Sequence, residues 1–191
     1  MNDDQLIQGL RDRQSGAFQE VVAAHQQRVI NICYRFVQDR AEAEDLAQET
    51  FIEVYRSIDK FRGQADLSTW IYRIAVSKSL DFIRRMGREK RGGKLREAIA
   101  SDRQVSEVPA PELAAPDRIL KQRERRRVLQ QALGALSENQ RVAFVLSQYD
   151  GLSYQEIAGI LKTSLGSVES LIHRARKNLQ KVLRHYYETN D

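Results

Sequence analysis

Cysteine is almost absent from this sequence: Cys33 is the single one in 191 residues. No disulfide can form within the chain, and the composition points to a reducing, cytoplasmic setting. Proline is nearly as scarce, and its three copies, Pro109, Pro111 and Pro116, fall in one stretch. Histidine occurs three times, at His25, His173 and His185, never at the spacing of a metal-ligand pair. No apolar run approaches the roughly 20 residues of a membrane-spanning helix. The opening MNDDQLIQGLRD is polar and acidic, unlike a signal peptide. Nowhere does apolar/polar alternation of period two persist long enough to announce a strand. With no glycine-rich phosphate loop either, the expectation is a soluble, all-α protein with no catalytic residues, metal or cofactor.

What is present is charge and helical periodicity. Lys and Arg number 31 against 26 Asp and Glu, a net charge of +5 that allows a polyanionic partner. The prolines lie in ASDRQVSEVPAPELAAPD (Ala100 to Asp117), which lacks periodicity and follows the basic run RRMGREKRGGKLR (Arg84 to Arg96). Proline interrupts helices, and Gly92-Gly93 resists them. The chain divides into residues 1–90, a linker at 91–117, and residues 118–191. Two domains of that size each bury a modest share of their surface.

Both halves read as helical. Phe18, Val21, Val22, His25, Val29, Ile32, Cys33 and Phe36 repeat at the three-and-four spacing of one buried face. Asp39 with Glu42 suits a capping box for a second helix that buries Ala43, Leu46, Ala47, Phe51, Val54, Tyr55 and Ile58. Gly63 marks a loop, FRGQADLS. Ser68 suits the cap of a third helix carrying Trp70, Ile71, Ile74, Ala75, Phe82 and Ile83. Further on, a charged helix is expected from Ile119 to Leu136. Ser137 with Gln140 suits another capping box, before a helix with Val142, Val145, Leu146 and Tyr149 that ends at Asp150-Gly151.

The last part has a more specific pattern. Ser153 and Glu156 open a short helix whose apolar face is Ile157, Ile160 and Leu161. The link KTSLG follows, and Ser164 caps a helix burying Val168, Leu171, Ile172, Ala175 and Leu179. Two short helices across a tight polar turn match a helix-turn-helix, whose second helix enters the major groove. Ser167, Glu169, Ser170 and His173 are the candidates for base edges. Arg174, Arg176, Lys177 and Lys181 are the candidates for phosphates, with no acid between Ser170 and Tyr187. An ordinary hairpin with a solvated basic face is the plainer alternative. His173 reads as a surface histidine near phosphate rather than a ligand or base.

Against this basic end stands EAEDLAQETFIE, residues 42 to 53, with five acids and no Lys or Arg. Glu42, Asp45, Gln48 and Glu49 share one helix face, opposite the apolar one. DNA repels such a face. A docking site for a basic protein, a divalent-metal site and a solvated surface helix all remain open; the pattern alone favours the last and supports metal least.

Three segments in order, EDLAQETFIEVY, FRGQADLSTWIYRIAVSKSLDFIRR and LSYQEIAGILKTSLGSVESLIHRARKNL, resemble bacterial sigma factors of the extracytoplasmic-function (ECF) group in the sigma-70 family. The resemblance spans nearly the whole chain: region 2 at 1–90, a variable linker, and region 4 at 118–191. It implies a transcription initiation factor, not an enzyme. It implies that Asp45, Leu46, Gln48, Glu49 and Phe51 bind the clamp coiled-coil of the largest subunit of core RNA polymerase, and that the flap region is a further contact. It implies that the loop Phe61, Arg62, Gly63, Gln64, Ala65 and Asp66 cups a base of the opened minus-ten strand. Phe61 would be a pocket wall, Ser77 and Asp81 base readers, and Lys78, Arg84 and Arg85 phosphate contacts. Trp70 sits on the apolar stripe with Ile74, so core packing is expected of it.

Region 4 would read duplex minus-thirty-five DNA through Ser167, Glu169, Ser170, His173, Arg174, Arg176 and Lys177. Here the chain departs from a frequent pattern: GSVESL stands where many members carry basic residues, as in GTVRSR, so Glu169 accepts from a cytosine amino group or points away. An anti-sigma factor is a further implied partner, and no membrane insertion is implied. The rival readings are a helix-turn-helix regulator of duplex operators and, more remotely, a nucleic-acid enzyme using the acidic helix for metal.

Overall fold

In the computed structural model, residues 3–91, 127–129 and 131–190 are described, and every regular element among them is helical. The chain separates into two compact units, Met1–Ser106 and Glu107–Asp191. The expected linker at 91–117, the start of the charged helix at Ile119 and the RERRR run up to residue 126 lie almost wholly outside the described residues.

The first unit contains α1 (Asp3–Arg11), α2 (Ser15–Val37), α3 (Arg40–Ser57), a 3-10 turn (Ile58–Lys60) and α4 (Leu67–Arg91). Helices α2, α3 and α4 pack pairwise against one another, and α1 lies against α2 and the 3-10 turn. Val21, Val29, Ile32, Cys33, Ala43, Val54, Ile58 and Ile71 are completely buried between them. The periodicity of 18–36 therefore describes a true core face, although Phe18, Val22 and His25 at its margin keep some exposure. Trp70 is buried as expected. Two buried hydroxyls are satisfied within their own helices: Thr50 donates to the Leu46 carbonyl at 2.7 Å and Ser79 to that of Ala75 at 2.8 Å.

The helix ends follow side-chain chemistry. Gln38 closes α2 in the left-handed region at φ 60°, its N–H bonded to the Tyr34 carbonyl. Asp39 at once caps α3, accepting from the Glu42 amide at 3.0 Å. Ser68 does not cap α4. The helix starts two residues earlier than that cap would place it, and the Asp66 carbonyl accepts its first bond, from the Trp70 amide at 3.1 Å. Helix α1 was not expected from sequence; Leu6 and Leu10, four apart, bury its inner face.

The second unit holds helical residues 127–129 and 131–134 (α5), then α6 (Glu138–Gln148), α7 (Tyr154–Leu161) and α8 (Leu165–Asn190). Val142, Leu146, Ile157, Val168 and Ala175 are fully buried among α6, α7 and α8. A second cluster joins Ala132 and Leu136 to Ala175 and Leu179. Tyr149, expected on the buried face of α6, instead caps its C-terminus and is 39% exposed, because the helix stops at Gln148. Ser137 makes no side-chain capping bond, so the box expected with Gln140 is not formed. Gly151 at φ 62° turns the chain into α7, a conformation that L side chains seldom adopt.

Candidate protein- and nucleic-acid-binding faces

The acidic helix is α3. Its inner side carries Ala43, Leu46, Ala47, Thr50, Phe51 and Val54. Helical spacing puts Asp45, Gln48, Glu49 and Ile52 on the opposite side, and all four are exposed. Of the five expected polymerase contacts, Leu46 and Phe51 are only 5% and 6% exposed and pack on the inner side of the helix. Ile52 was missed. At 48% exposure it is an apolar side chain in the middle of an acidic face, which the sequence signals as an isoleucine on the polar row.

Pairing thins the acid cluster. Glu44 accepts from Arg40, one turn back on a flank. Glu49 meets Lys78 of α4 at 3.4 Å. Among the described residues Asp45 forms no ion pair, and Glu42 is half-buried at the helix start. Lys78, expected on phosphate, is thus engaged beside the acidic face, with its side chain 25% exposed. Both pairs are solvent-reached and add little stability.

The loop after the 3-10 turn runs from Phe61 to Asp66. Arg62, Gly63, Gln64 and Asp66 are exposed and Ala65 is half-buried. Gly63 sits at φ 68°, a left-handed turn that favours glycine, with open space where a side chain would stand. Phe61, expected as a pocket wall, is 4% exposed beneath the loop, its ring 5.2 Å from that of Trp70. On α4, Ser77, Asp81 and Arg84 share one exposed stripe at spacings of four and three, and Asp81 accepts from Arg84 at 2.7 Å. The Arg85 guanidinium lies over the Phe82 ring at 5.4 Å. Tyr72 is buried; its hydroxyl lies 3.1 Å from His25 Nδ1, with the Arg28 guanidinium over its ring. Burial pushes the His25 pKa below its usual 6.5; Asp3 opposes the shift and Arg28 adds to it.

The helix-turn-helix forms from α7 and α8. Ser153 and Glu156 make the full reciprocal capping box. Lys162 closes α7 at φ 52°, and only residues 162–164 separate the helices, fewer than the KTSLG link suggested. Ser164 accepts from the Ser167 amide at 3.2 Å, capping α8. Val168, Ile172, Ala175 and Leu179 point inward. Ser170, Arg174, Lys177 and Lys181 form the outward row, with Glu169, His173 and Arg176 beside it; all seven are exposed. Ser167 is half-exposed at the head of the helix. Glu169, Ser170, His173 and Arg174 line a shallow hollow in this surface. Leu171, expected inside, is half-buried at the edge.

Among the described residues no group of His, Cys, Asp and Glu is arranged to hold a metal, and no helix is long and apolar enough to cross a membrane.

An acid-faced helix bundle and a basic helix-turn-helix in one chain define a class of transcription factor, and similarity to known proteins agrees. Residues 21–89 match Sigma-70 region 2 and residues 126–179 match Sigma-70, region 4. The chain belongs to the sigma-70 family of RNA polymerase sigma factors, in its ECF group. It is 32% identical over 183 residues to the RNA polymerase sigma-H factor of Pseudomonas aeruginosa, covering 95% of this chain and 93% of that one. It is 32% identical over 177 residues to the ECF RNA polymerase sigma-E factor of Escherichia coli K12, covering 93% and 92%. In fold it is similar to CnrH in complex with the cytosolic domain of CnrY, at a TM-score of 0.66 and 23% identity, covering 96% of this chain and 97% of that one. It is also similar to the sigma factor RpoE in complex with the anti-sigma factor NepR from Bartonella quintana, at 0.60 and 23%, covering 87% and 96%. As a sigma factor, the chain binds core RNA polymerase, directs it to specific promoters and promotes strand opening. A stand-alone operator-binding regulator does not account for the region 2 match.

Proposed function

We propose that the three surfaces divide this activity by electrostatic sign. The outward row of α3, with Asp45, Gln48 and Glu49 around Ile52, docks on the basic clamp coiled-coil of the largest polymerase subunit. Charge there sets orientation and encounter rate, and Ile52 adds a desolvated centre. The loop from Arg62 to Asp66, on its floor of Phe61 and Trp70, receives an unstacked minus-ten base. Ser77 and Asp81 face that strand, and Arg84 and Arg85 take its phosphates. Helix α8 enters the minus-thirty-five major groove, with Ser167, Glu169, Ser170 and His173 toward base edges and Arg174, Arg176, Lys177 and Lys181 toward phosphates. Residues 1–90 serve as region 2 and 118–191 as region 4, which also meets the flap region.

The chain carries no active site of its own, and nucleotidyl transfer belongs to the polymerase. It works in the cytoplasm, under an anti-sigma factor. That partner is suggested by the two similar folds, each of which is known in complex with a second protein.

The observation that carries this reading is the opposition of two outward rows. Asp45 and Glu49 stand on α3; Arg174, Lys177 and Lys181 stand on α8, each row directed away from its own unit's core. Its test is a double reversal, Asp45→Lys with Glu49→Lys. Association with core polymerase should fall at least about tenfold, while affinity of the free chain for duplex promoter DNA is kept. Unchanged core association would remove the docking assignment.

A further inference from the structure

We infer that Arg11 and Arg13, from the end of α1 and the turn into α2, are positioning residues that set the entry angle of the 61–66 loop and thereby its base discrimination. The inference rests on the proposed role of that loop.

Four observations converge on the loop's root. Arg11 Nη2 donates to the Phe61 carbonyl at 2.9 Å in a half-buried setting, across 50 residues of sequence. Arg13 grips the segment just upstream: it donates to the Tyr55 carbonyl, reaches Asp59 Oδ2 at 2.9 Å and stacks over the Tyr55 ring at 4.8 Å. Arg13 also holds its backbone at φ 58°, a left-handed position that a non-glycine residue occupies at a cost. The Phe61 ring, packed on Trp70, ties the loop's entry to its exit, where the Trp70 amide is bonded to Asp66.

The geometry leaves few freedoms for the loop. The Phe61 amide is bonded back to the Ile58 carbonyl at 2.9 Å, and its own carbonyl is held by Arg11. The two peptide planes that flank Phe61 are thus each held by one bond, and Gly63, at φ 68°, turns the chain two residues further on. A charged donor on a half-buried carbonyl is among the stronger hydrogen bonds available. Arg11 and Arg13 precede residue 21, where the match to region 2 begins. The part of the chain outside the matched region therefore restrains the loop inside it. Preorganisation of this kind raises discrimination because a correct base meets a formed cradle, whereas a loose loop adapts to several.

The experiment uses the full chain with core polymerase and single-stranded DNA carrying a randomised six-base window, read by sequencing the bound fraction. Arg11→Ala, alone and with Arg13→Ala, should flatten the base preference about three- to tenfold. Core association, and affinity for duplex minus-thirty-five DNA measured on a separate probe, should hold. Arg11→Lys, which keeps a charged donor, should restore most of the preference, a recovery that a purely packing role would not give. In the free chain, amide exchange should quicken at 62–66 and not at 46–54. If Arg11→Ala leaves the profile intact while exchanging 61–66 for another member's loop alters it, the clamp is wrong and the loop's role stands. If the loop exchange also changes nothing, both fall. A uniform rise in exchange across α2–α4 would reduce the two arginines to general stabilisers and overturn the inference.

Discussion

Two titrating side chains, one buried and one half-buried, make sharp tests at the residue scale. Burial pushes the Cys33 thiol up from its usual 9.0 to about 11. A neutral thiol is favoured in the fold, whereas the unfolded chain ionises sooner. The stability this gives is complete below pH 9 and is lost as pH rises toward 11. Cys33→Ala should flatten the alkaline limb of a stability-against-pH curve measured by urea unfolding. His25 acts at the other end. Its pKa is lowered, so the unfolded chain takes up a proton first as pH falls, and stability drops on going below 6.5. In His25→Gln that part of the acid-side drop should vanish. A third residue test concerns Ile52. Ile52→Ser should leave the melting temperature nearly unchanged, since it lies outside the core. It should nevertheless weaken core-polymerase association, and the loss should persist at high salt where charge effects fade.

At the scale of elements, the capping box at α7 is a local stabiliser with a known size. Ser153→Ala should cost about 1 kcal/mol, read by denaturant titration. The outward row of α8 gives a sharper number. Removing two phosphate contacts with Arg174→Ala and Lys177→Ala should flatten the plot of log affinity against log salt by about 1.8, at roughly 0.9 per contact. The sequence exposed α3, α7 and α8 well because each pairs an apolar stripe with a side-chain cap, and α2, which has no side-chain cap, through the length of its stripe alone. It was silent on α1, where two leucines are too short a stripe to count. Ser68 and Ser137 misled in different ways: Asp66, not Ser68, supplies the carbonyl that starts α4, whereas Ser137 starts α6 with its carbonyl but leaves its hydroxyl out of the cap. The faces of α3 and α8 were legible from spacing. That Leu46 and Phe51 face inward was less legible as a partner question, because a motif names a whole helix while burial distinguishes its sides. The Arg11 and Arg13 contacts had no sequence signal, since they join residues more than 40 apart through carbonyls that every residue shares.

For the whole molecule, two separate cores mean two separate risks of unfolding. Leu146 is fully buried in the second unit and Ile71 in the first. Leu146→Ala should remove about 2–5 kcal/mol, a large share of what a small domain possesses. Amide protection should then collapse in α6–α8 and survive in α2–α4; loss in both would mean that the units stand or fall together. Duplex recognition would vanish in that variant while attachment to core polymerase persisted. The enclosure of Cys33 has a practical sequel. A chain whose one sulfhydryl is sealed offers oxidants and maleimide dyes no native target. A single cysteine introduced at exposed Gln180 would become a clean attachment point for a fluorophore, reporting each arrival at DNA in real time.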